Sequence, residues 1–484
     1  MNVIPCATWV RRGVASTNPQ KVELTPKELE QIIKQTQSEL QDAESDEEQD
    51  NVVEQKMDTK SELDTCETDE YNFDKYDEES SNIHCNIKNI ASFGEDGQDP
   101  FVTGDDDDSE KEDDAIKSDD NLVLVGHVDG DASILEVFVY NEAEGSFYCH
   151  HDILLPSFPL CMEWLNFDPT DSKPSNLCAI GNMTPIIDVW DLDLIDCLEP
   201  AYKLGRKANK KKNQKRVGHK DAVLDLAWNE NYVHVLASGS ADQTVLLWDL
   251  ENGTPVNKFD SFDEKVQSLQ WHPTETHQLL TGCADKIVRL FDCRYESLMK
   301  YWEAAGEIER VLWNRFDSNY LIASTDNGYI HYIDIREDKP IWSIQAHTKE
   351  VTGLSLSSSC CGLLVTSAND GIIKVWDIIS NTEPELIFEK KSNLGALLCL
   401  TSNPDNPFVF AAGGDNKSCN FKVFDFLDIS EVRERFQTRI NVQNGNNSTA
   451  INRQNDTGEM VDVTEYMDSM ILNAHGSEHK KYNK

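Results

Sequence analysis

Segments typical of membrane and secreted proteins are missing from this chain of 484 residues. No apolar run approaches the roughly 20 residues that a helix needs to span a bilayer. The N-terminal stretch MNVIPCATWVRRGV has no sustained apolar core, and its arginine pair follows the apolar residues instead of preceding them. The 13 cysteines of the whole chain are scattered and form no Cys-x-x-Cys pair. We therefore expect reduced, mostly buried thiols in a cytosolic or nuclear protein, and neither disulfides nor zinc.

Motifs of catalysis are also missing. The sequence has no phosphate-binding loop and no nucleophile elbow, and its nearest approach to a metal-ligand set is CHH at residues 149–151. Neighbouring residues of a strand point to opposite faces, so these three side chains cannot easily meet one ion. The sequence predicts a protein that is not an enzyme, that needs no cofactor or metal, and that binds neither a small-molecule substrate nor a membrane.

Positive charge is scarce: 44 Lys and Arg stand against 87 Asp and Glu, a formal net charge of −43. Residues 1–120 hold 34 acidic and 11 basic residues, a net of −23, which is about half of the excess in a quarter of the chain. Such a segment buries too little apolar surface to offset the entropy of ordering it. We expect an N-terminal segment with a short helix over residues 1–41 and an acidic, largely disordered arm over 42–120.

Three serines of this region precede acidic residues, the sequence context that acidophilic kinases accept: Ser45, Ser109 and Ser118. Phosphorylation would add about −1.5 to −2 charges at each. Serines in such a context also arise from composition alone, so both interpretations stay open.

One concentrated basic run, RKANKKKNQKR at 206–216, contrasts with this acidity. Its basic residues are Arg206, Lys207, Lys210, Lys211, Lys212, Lys215 and Arg216. The run could be a solvated loop, a nuclear import sequence read by an import receptor, or a contact for phosphate-bearing nucleic acid. We favour import, which needs only accessibility and local charge. The acidic arm could also fold onto the run and mask it, within a Debye length of about 8 Å.

A repeat fills the middle of the chain. Six segments share an apolar run, a turn rich in Asp, Asn and Gly, a second alternating run and a closing pair ending in Asp; the pairs begin at Trp190, Trp248, Phe291, Ile333, Trp376 and Phe424. A second tryptophan series precedes them, at Trp164, Trp228, Trp271 and Trp313. Short period-two strands in units of 40-odd residues, closed by Trp-Asp, predict an all-β fold, a WD-repeat β-propeller. We place seven blades over residues 121–427, with 82–93 as a candidate first strand for the blade that contains 121–145.

Two repeats predict a hydrogen-bonded group of four side chains, joining a His, a strand Ser or Thr, a turn Asp and a strand Trp. The two sets are His219, Ser238, Asp242 and Trp248, and His347, Thr366, Asp370 and Trp376. A His–Asp–Ser set also suggests a hydrolase triad. Its recurrence at blade spacing favours a structural role, in which a partly buried carboxylate and an indole N–H find partners.

Two amphipathic helices flank the repeats. TPKELEQIIKQTQSEL (25–40) begins with a capping box, and DISEVRERFQTRI (428–440) places four apolar residues on one face. Docking of these helices on the propeller itself is favoured over docking on a partner. The remaining tail to residue 484 is expected to be flexible.

Several longer segments resemble the periodic tryptophan protein 1 family of WD-repeat proteins: ATWVRRG, KVELTPKELEQII, LEVFVYNEAEGSFYCHHDILL, MEWLNFDP, IGNMTPIIDVWDLDLIDCLEP, GHKDAVLDLAWN and ASTDNGYIHYIDIR. The resemblance implies a nuclear, often nucleolar, chromatin-associated scaffold that supports ribosomal RNA transcription and ribosome biogenesis. The expected partners are chromatin or histones and ribosome-biogenesis proteins, with an indirect association with ribosomal DNA. Two alternatives remain: a substrate receptor of a ubiquitin ligase, and a histone or ribosomal-protein chaperone acting through the acidic arm.

Overall fold

Seven small antiparallel sheets surround a central channel, as the repeat predicted. The computed structural model describes residues 1–22, 25–27, 29, 32, 115–170, 175–208, 214–295, 297–379 and 383–446. The innermost strand of each sheet packs against the innermost strands of both neighbours, and the last of these meets the first, so the ring is closed. The prediction of a seven-bladed propeller is confirmed.

Each blade runs from an inner strand at the channel to an outer strand at the rim. Blade 1 contains β1 (Asn2–Val10), β3 (Asn121–Asp129), β4 (Ala132–Asn141) and β5 (Ser146–Leu155). Blade 2 contains β6 (Pro159–Leu165), β7 (Leu177–Asn182), β8 (Ile187–Asp191) and β10 (Tyr202–Leu204). Blade 3 contains β11 (Val223–Trp228), β12 (Val235–Ser240), β13 (Val245–Asp249) and β14 (Thr254–Phe259). Blade 4 contains β15 (Val266–Trp271), β16 (Gln278–Cys283), β17 (Ile287–Asp292) and β18 (Ser297–Glu303).

Blades 5 and 6 have the same order, and blade 7 has three strands within the described ranges. Blade 5 contains β19 (Ile308–Trp313), β20 (Tyr320–Thr325), β21 (Tyr329–Asp334) and β22 (Pro340–Gln345). Blade 6 contains β23 (Gly353–Leu356), β24 (Leu363–Ser367), β25 (Ile372–Asp377) and β26 (Glu385–Lys391). Blade 7 contains β27 (Leu397–Ser402), β28 (Val409–Gly414) and β29 (Phe421–Asp425). A separate two-stranded parallel pair joins β2 (Gln20–Lys21) to β9 (Leu194–Ile195).

Burial follows position within the blade. Every residue of β12, a second strand, is buried, whereas the outer strand β14 alternates between exposed and partly buried residues up to its last residue, Phe259, which is buried. Second strands need apolar or small residues on both faces because the adjacent blades cover them. Blades approach so closely that a Cβ on Gly181 would lie 2.8 Å from a methyl group of Val223 in the next blade. Apolar faces buried between neighbouring blades are therefore the main source of stability.

The inner strand of blade 1 is β1, which corrects the candidate placed at 82–93; the latter range lies outside the described residues. β1 pairs antiparallel with β3, and Ile4 fills the space beside Gly413 of blade 7. The ring is also fastened by polar contacts: the Asn121 amide donates to the carbonyl of Val10 at 3.2 Å and to Asp405 of blade 7 at 2.7 Å. More than 100 residues separate β1 from β3, so a search for a 40-residue period does not join them.

The domain boundaries differ from those predicted. Residues 1–10 form a propeller strand and not part of a separate 1–41 segment, and residues 115–120 belong with the propeller, since Ile116 is buried in the core beneath blade 1. The acidic arm between them lies outside the described residues. So does most of the predicted helix at 25–40, of which Pro26, Lys27, Leu29 and Ile32 are helical.

A helix follows blade 7 and packs against it. After a 3-10 turn (Phe426–Asp428), α1 (Ser430–Asn446) buries Val432 and Phe436 completely against the apolar residues of blades 6 and 7. Arg435 and Arg439 both bind Asp377 at the end of β25. The predicted docking of this helix on the propeller is confirmed. No helix in the described ranges is long and apolar enough to cross a membrane.

Candidate functional site

The structure brings together the four residues predicted in blade 3. His219 lies with Nδ1 3.2 Å from Asp242 Oδ1 and Nε2 2.7 Å from the hydroxyl oxygen of Ser238. The indole N–H of Trp248 donates to the same hydroxyl oxygen at 2.8 Å. The chain Trp N–H to Ser oxygen, Ser O–H to His Nε2 and His Nδ1–H to Asp satisfies every polar atom of the group.

Blade 6 repeats this geometry. His347 Nδ1 lies 3.2 Å from Asp370 Oδ2, and Nε2 lies 2.8 Å from the hydroxyl oxygen of Thr366, which also accepts the indole N–H of Trp376 at 3.0 Å. Burial raises the pKa of Asp370, but the Thr348 amide and His347 outweigh it and hold this pKa below its usual range. The carboxylate is thus ionised at neutral pH and holds the imidazole in place.

Neither group can work as a hydrolase triad. The Ser238 and Thr366 side chains are completely buried inside their blades, and each hydroxyl oxygen is already occupied by an indole N–H. A nucleophile needs an exposed oxygen that a substrate can approach. The geometry is that of a structural hydrogen-bond network.

Blade 4 replaces this network with another. Phe291 takes the place of the tryptophan and packs against Phe259 and Phe262, with ring centroids 4.9 and 5.7 Å away. The turn residue Asp285 forms a 2.6 Å ion pair with Arg289. Phe262 stands where the other two networks have histidine, 23 residues before the turn Asp, so the Asp285 carboxylate takes its partner, Arg289, from the next strand.

The basic run leaves the propeller through a narrow base between blades 2 and 3. Arg206 and Val217 form a two-way antiparallel backbone pair at 2.8 and 2.9 Å. The flanking Gly205 and Gly218 both have positive φ, and a Cβ on Gly218 would lie 2.7 Å from the Trp248 ring. Only glycine fits there, so the blade 3 network also fixes the start and the end of the loop.

The described residues of this loop are exposed: Arg206, Lys207, Lys215 and Arg216. Lys210, Lys211 and Lys212 lie outside the described residues, as do Ser45 and Ser109. Ser118 lies exposed in a turn just before β3. The structure therefore presents the two ends of the basic loop and one of the three candidate serines to solvent.

A cavity of about 600 Å³ occupies the channel between the inner strands. Five tryptophans end, or nearly end, five consecutive inner strands beside it: Trp9, Trp164, Trp228, Trp271 and Trp313. The indole N–H of Trp271 donates to the Ala227 carbonyl of the preceding blade at 2.9 Å. The second tryptophan series in the sequence thus corresponds to one end of the channel, which we call the channel mouth.

Trp164 and Trp228 form a corner at the channel mouth. Their rings meet edge to face, with centroids 6.3 Å apart and planes at 79°. Glu163 lies beside this corner, and one of its carboxylate oxygens accepts the Trp228 backbone N–H at 3.2 Å. Burial, together with the nearby charges of Asp225 and Glu230, raises the pKa of Glu163 to about 8 against the one amide that lowers it. Two aromatic rings beside a carboxyl group that has no cation as a partner among the described residues can bind a positively charged side chain.

Sequence reasoning missed this corner. It identified Trp164 and Trp228 as strand ends but did not single out Glu163, Asp225 or Trp9, because nothing in a 40-residue period says which strand faces the channel. The sequence did contain a signal that Trp9 ends an inner strand: ATWV ends an alternating run, as LAW and LQW do. Among the described residues, no group of three or more His, Cys, Asp or Glu side chains is placed to hold a metal ion.

Comparison with known proteins gives strong likenesses. A family model described as "Nucleolar protein 10-like, N-terminal domain" matches residues 132–318, and one described as "WD domain, G-beta repeat" matches 338–377. The "Periodic tryptophan protein 1 homolog" of Drosophila melanogaster is 43% identical over 452 residues, covering 90% of this chain and 96% of that protein. An uncharacterised WD repeat-containing protein of Schizosaccharomyces pombe is 34% identical over 476 residues, covering 91% and 92%. "Periodic tryptophan protein 1" of Saccharomyces cerevisiae is 32% identical over 528 residues, covering 91% of each chain.

Proposed function

This chain belongs to the periodic tryptophan protein 1 family, and from that membership we propose that it is a non-enzymatic nuclear scaffold that supports ribosome biogenesis and ribosomal RNA transcription in association with chromatin. Its partners are basic proteins, histones or ribosome-biogenesis proteins, which reach the channel mouth with positively charged side chains. Association with ribosomal DNA is indirect, through these proteins.

The corner formed by Trp164, Trp228 and Glu163 is the observation that supports this proposal most strongly. A cation placed over the two rings gains from their quadrupoles, by about 0.5–2 kcal/mol. It also favours the ionised form of Glu163, whose pKa burial raises to about 8. Arg11, Arg310 and Arg315 also line the cavity, where Arg11 pairs with Glu230 and Arg310 with Asp225. Among the described residues no ion pair involves Glu163, so this carboxyl group is the place for a positive charge from the basic partners named above.

Binding of a lysine-rich histone or ribosomal-protein peptide is expected to strengthen as the pH rises from 6.5 towards 8.5. Below about pH 8 the free protein holds a proton on Glu163, and a bound cation must displace it. Because binding releases this proton, the affinity for the peptide should fall by up to about tenfold for each pH unit below pH 8. Fluorescence anisotropy of a labelled peptide across this range measures the slope.

Glu163→Gln should make this affinity independent of pH and low throughout. Glu309→Gln is the matched control: burial also raises the pKa of Glu309, but this residue does not line the channel cavity. A pH slope that persists in Glu163→Gln, or that disappears in Glu309→Gln, would contradict the role given to Glu163.

Deletion of residues 206–216 is expected to abolish nuclear entry. The two ends of the loop lie side by side, as the Arg206–Val217 pair shows, so a short Gly/Ser linker in place of residues 206–216 reconnects them without displacing blades 2 and 3. Microscopy of a fluorescently tagged chain measures the nuclear fraction, and a foreign import sequence should restore both localisation and growth. Wild-type nuclear retention without the loop would exclude the import role, and restored entry without restored growth would show a further essential role of the loop.

Purification of the tagged protein from nuclear extract, with and without nuclease, tests the scaffold itself. Ribosome-biogenesis proteins that remain bound after nuclease treatment support direct protein contacts, whereas association with ribosomal DNA should be lost. Recovery of a ubiquitin-ligase adaptor in place of these partners would favour the receptor alternative.

A further inference from the structure

In the part of the chain that the structure describes, no strand pairs with the outer edge of blade 7. The other six blades have four strands, whereas β29 pairs with β28 alone among the described residues. The bonds from Phe426 N–H to the Phe408 carbonyl and from Gly414 N–H to the Asn420 carbonyl show that the even-numbered residues of β29 pair with β28. The N–H groups of Phe421, Val423 and Asp425 therefore point away from the sheet. Such an edge is a template for one more strand.

Apolar side chains flank this edge on both sides. Towards blade 1, Phe421 stacks against Phe138 and Phe147 at 6.0 and 6.2 Å, and Phe147 is 42% exposed. Towards blade 6, the partly buried side chains of Ile387 and Phe388 on β26 pack against the same core as Phe424. A strand laid along β29 would thus find an apolar surface on each face, as the outer strands of other blades do.

Charges of both signs lie along the edge: Asp425 of β29 is partly buried, and Glu385 and Glu389 of the neighbouring outer strand β26 are exposed. Lys422 of β29 is exposed, and so are Lys390 and Lys391 at the end of the neighbouring outer strand β26. A strand that fits here should be rich in apolar and β-branched residues, and it can place acidic residues opposite these lysines.

We propose that residues 459–468 of this chain's own tail, EMVDVTEYMD, pair with β29 as the fourth strand of blade 7. This segment combines strand-forming Val461, Val463, Thr464 and Tyr466 with four acidic residues. It contrasts with the preceding NSTAINRQNDTG, in which Ile451 is the single large apolar residue.

The tail is long enough to reach the edge. α1 begins five residues after β29 ends and is 17 residues long, so its far end lies within about 40 Å of the strand. Residues 447–458 and the bonds that flank them span a similar distance when extended, about 40 Å. The strand can therefore come from the same molecule, which gives it a high effective concentration at the edge.

Hydrogen exchange at residue resolution in the full-length protein tests this pairing. In the wild type, the amides of Phe421, Val423 and Asp425 should exchange at least about tenfold more slowly than in Val463→Pro, because proline removes a ladder donor and breaks the added strand. Asn455→Pro is the matched control, since it places proline in the same tail but outside the segment. A chain ending at residue 458 should match Val463→Pro, and exchange in β12 should be equal in all four proteins, which establishes that the ring is intact.

Three results would overturn the proposal. Fast exchange of these three amides in the wild type would mean that the edge stays open. Slow exchange that survives Val463→Pro would mean that another segment or a partner covers it. Protection that disappears on dilution would assign the strand to a second copy of the chain.

Discussion

Removing residues 2–10 is expected to unfold the propeller, although they are less than 2% of the chain. This deletion takes away β1, and with it Val3, Ile4, Trp9 and Val10, all at most 5% exposed. Burial of four such side chains contributes about 6–12 kcal/mol, comparable with the whole stability of a typical domain, about 5–15 kcal/mol. The ring would also lose the packing of its first inner strand against blade 7, where Ile4 meets Gly413. Thermal unfolding followed by circular dichroism should show no cooperative transition.

The matched control is a much larger deletion. Replacing residues 24–114 by a flexible linker of about 12 residues removes the acidic arm and leaves β1, β2 and β3 in place, so the transition should stay within a few degrees of the wild type. A chain without residues 2–10 that melts like the full-length protein would show that β1 does not close the ring.

Trp248→Ala is expected to lower the free energy of unfolding by about 3–5 kcal/mol. Trp248 is 1% exposed, donates to Ser238 and fills the space beside Gly218. Its removal leaves a cavity beneath the basic loop and takes the indole donor from the blade 3 network. Urea unfolding measures the loss as a lower midpoint at an unchanged slope.

Trp248→Phe separates packing from hydrogen bonding. Phe291 occupies the equivalent position of blade 4, so a phenyl ring fits this place in a blade. The loss should fall to about 1–3 kcal/mol, because the phenyl ring keeps most of the packing and loses one neutral hydrogen bond, worth about 1 kcal/mol, together with the part of the indole that lies against Gly218. Equal losses for both variants would mean that the indole N–H, and not the volume of the ring, carries the stability.

The repeat could be predicted because each blade is built locally. Three or four strands joined by short turns leave a periodic record, and so the pairs that end in Asp, the two four-residue networks and the position of the basic run are all readable from spacing. The docking of α1 was also readable, since Val432 and Phe436 repeat at helical spacing on one face.

Contacts between residues far apart in the chain could not be predicted in this way. β1 and β3 are separated by the acidic arm, and the alternation in NVIPCATWV matches many partners equally well. The corner at the channel mouth needs the side chains of two blades: Glu163 and Trp164 of blade 2 meet Trp228 of blade 3 only when the inner strands lie side by side.

The amino-acid sequence by itself determined that this chain forms blades, how many strand pairs it repeats and which side chains hold each blade together, because hydrophobic alternation and turn chemistry act over a few residues. Only the tertiary structure decided how the ring closes, which blade has three strands within the described residues, and which carboxyl group is buried at the channel mouth. These depend on loop closure across more than 100 residues and on burial by neighbouring blades, and neither leaves a local pattern.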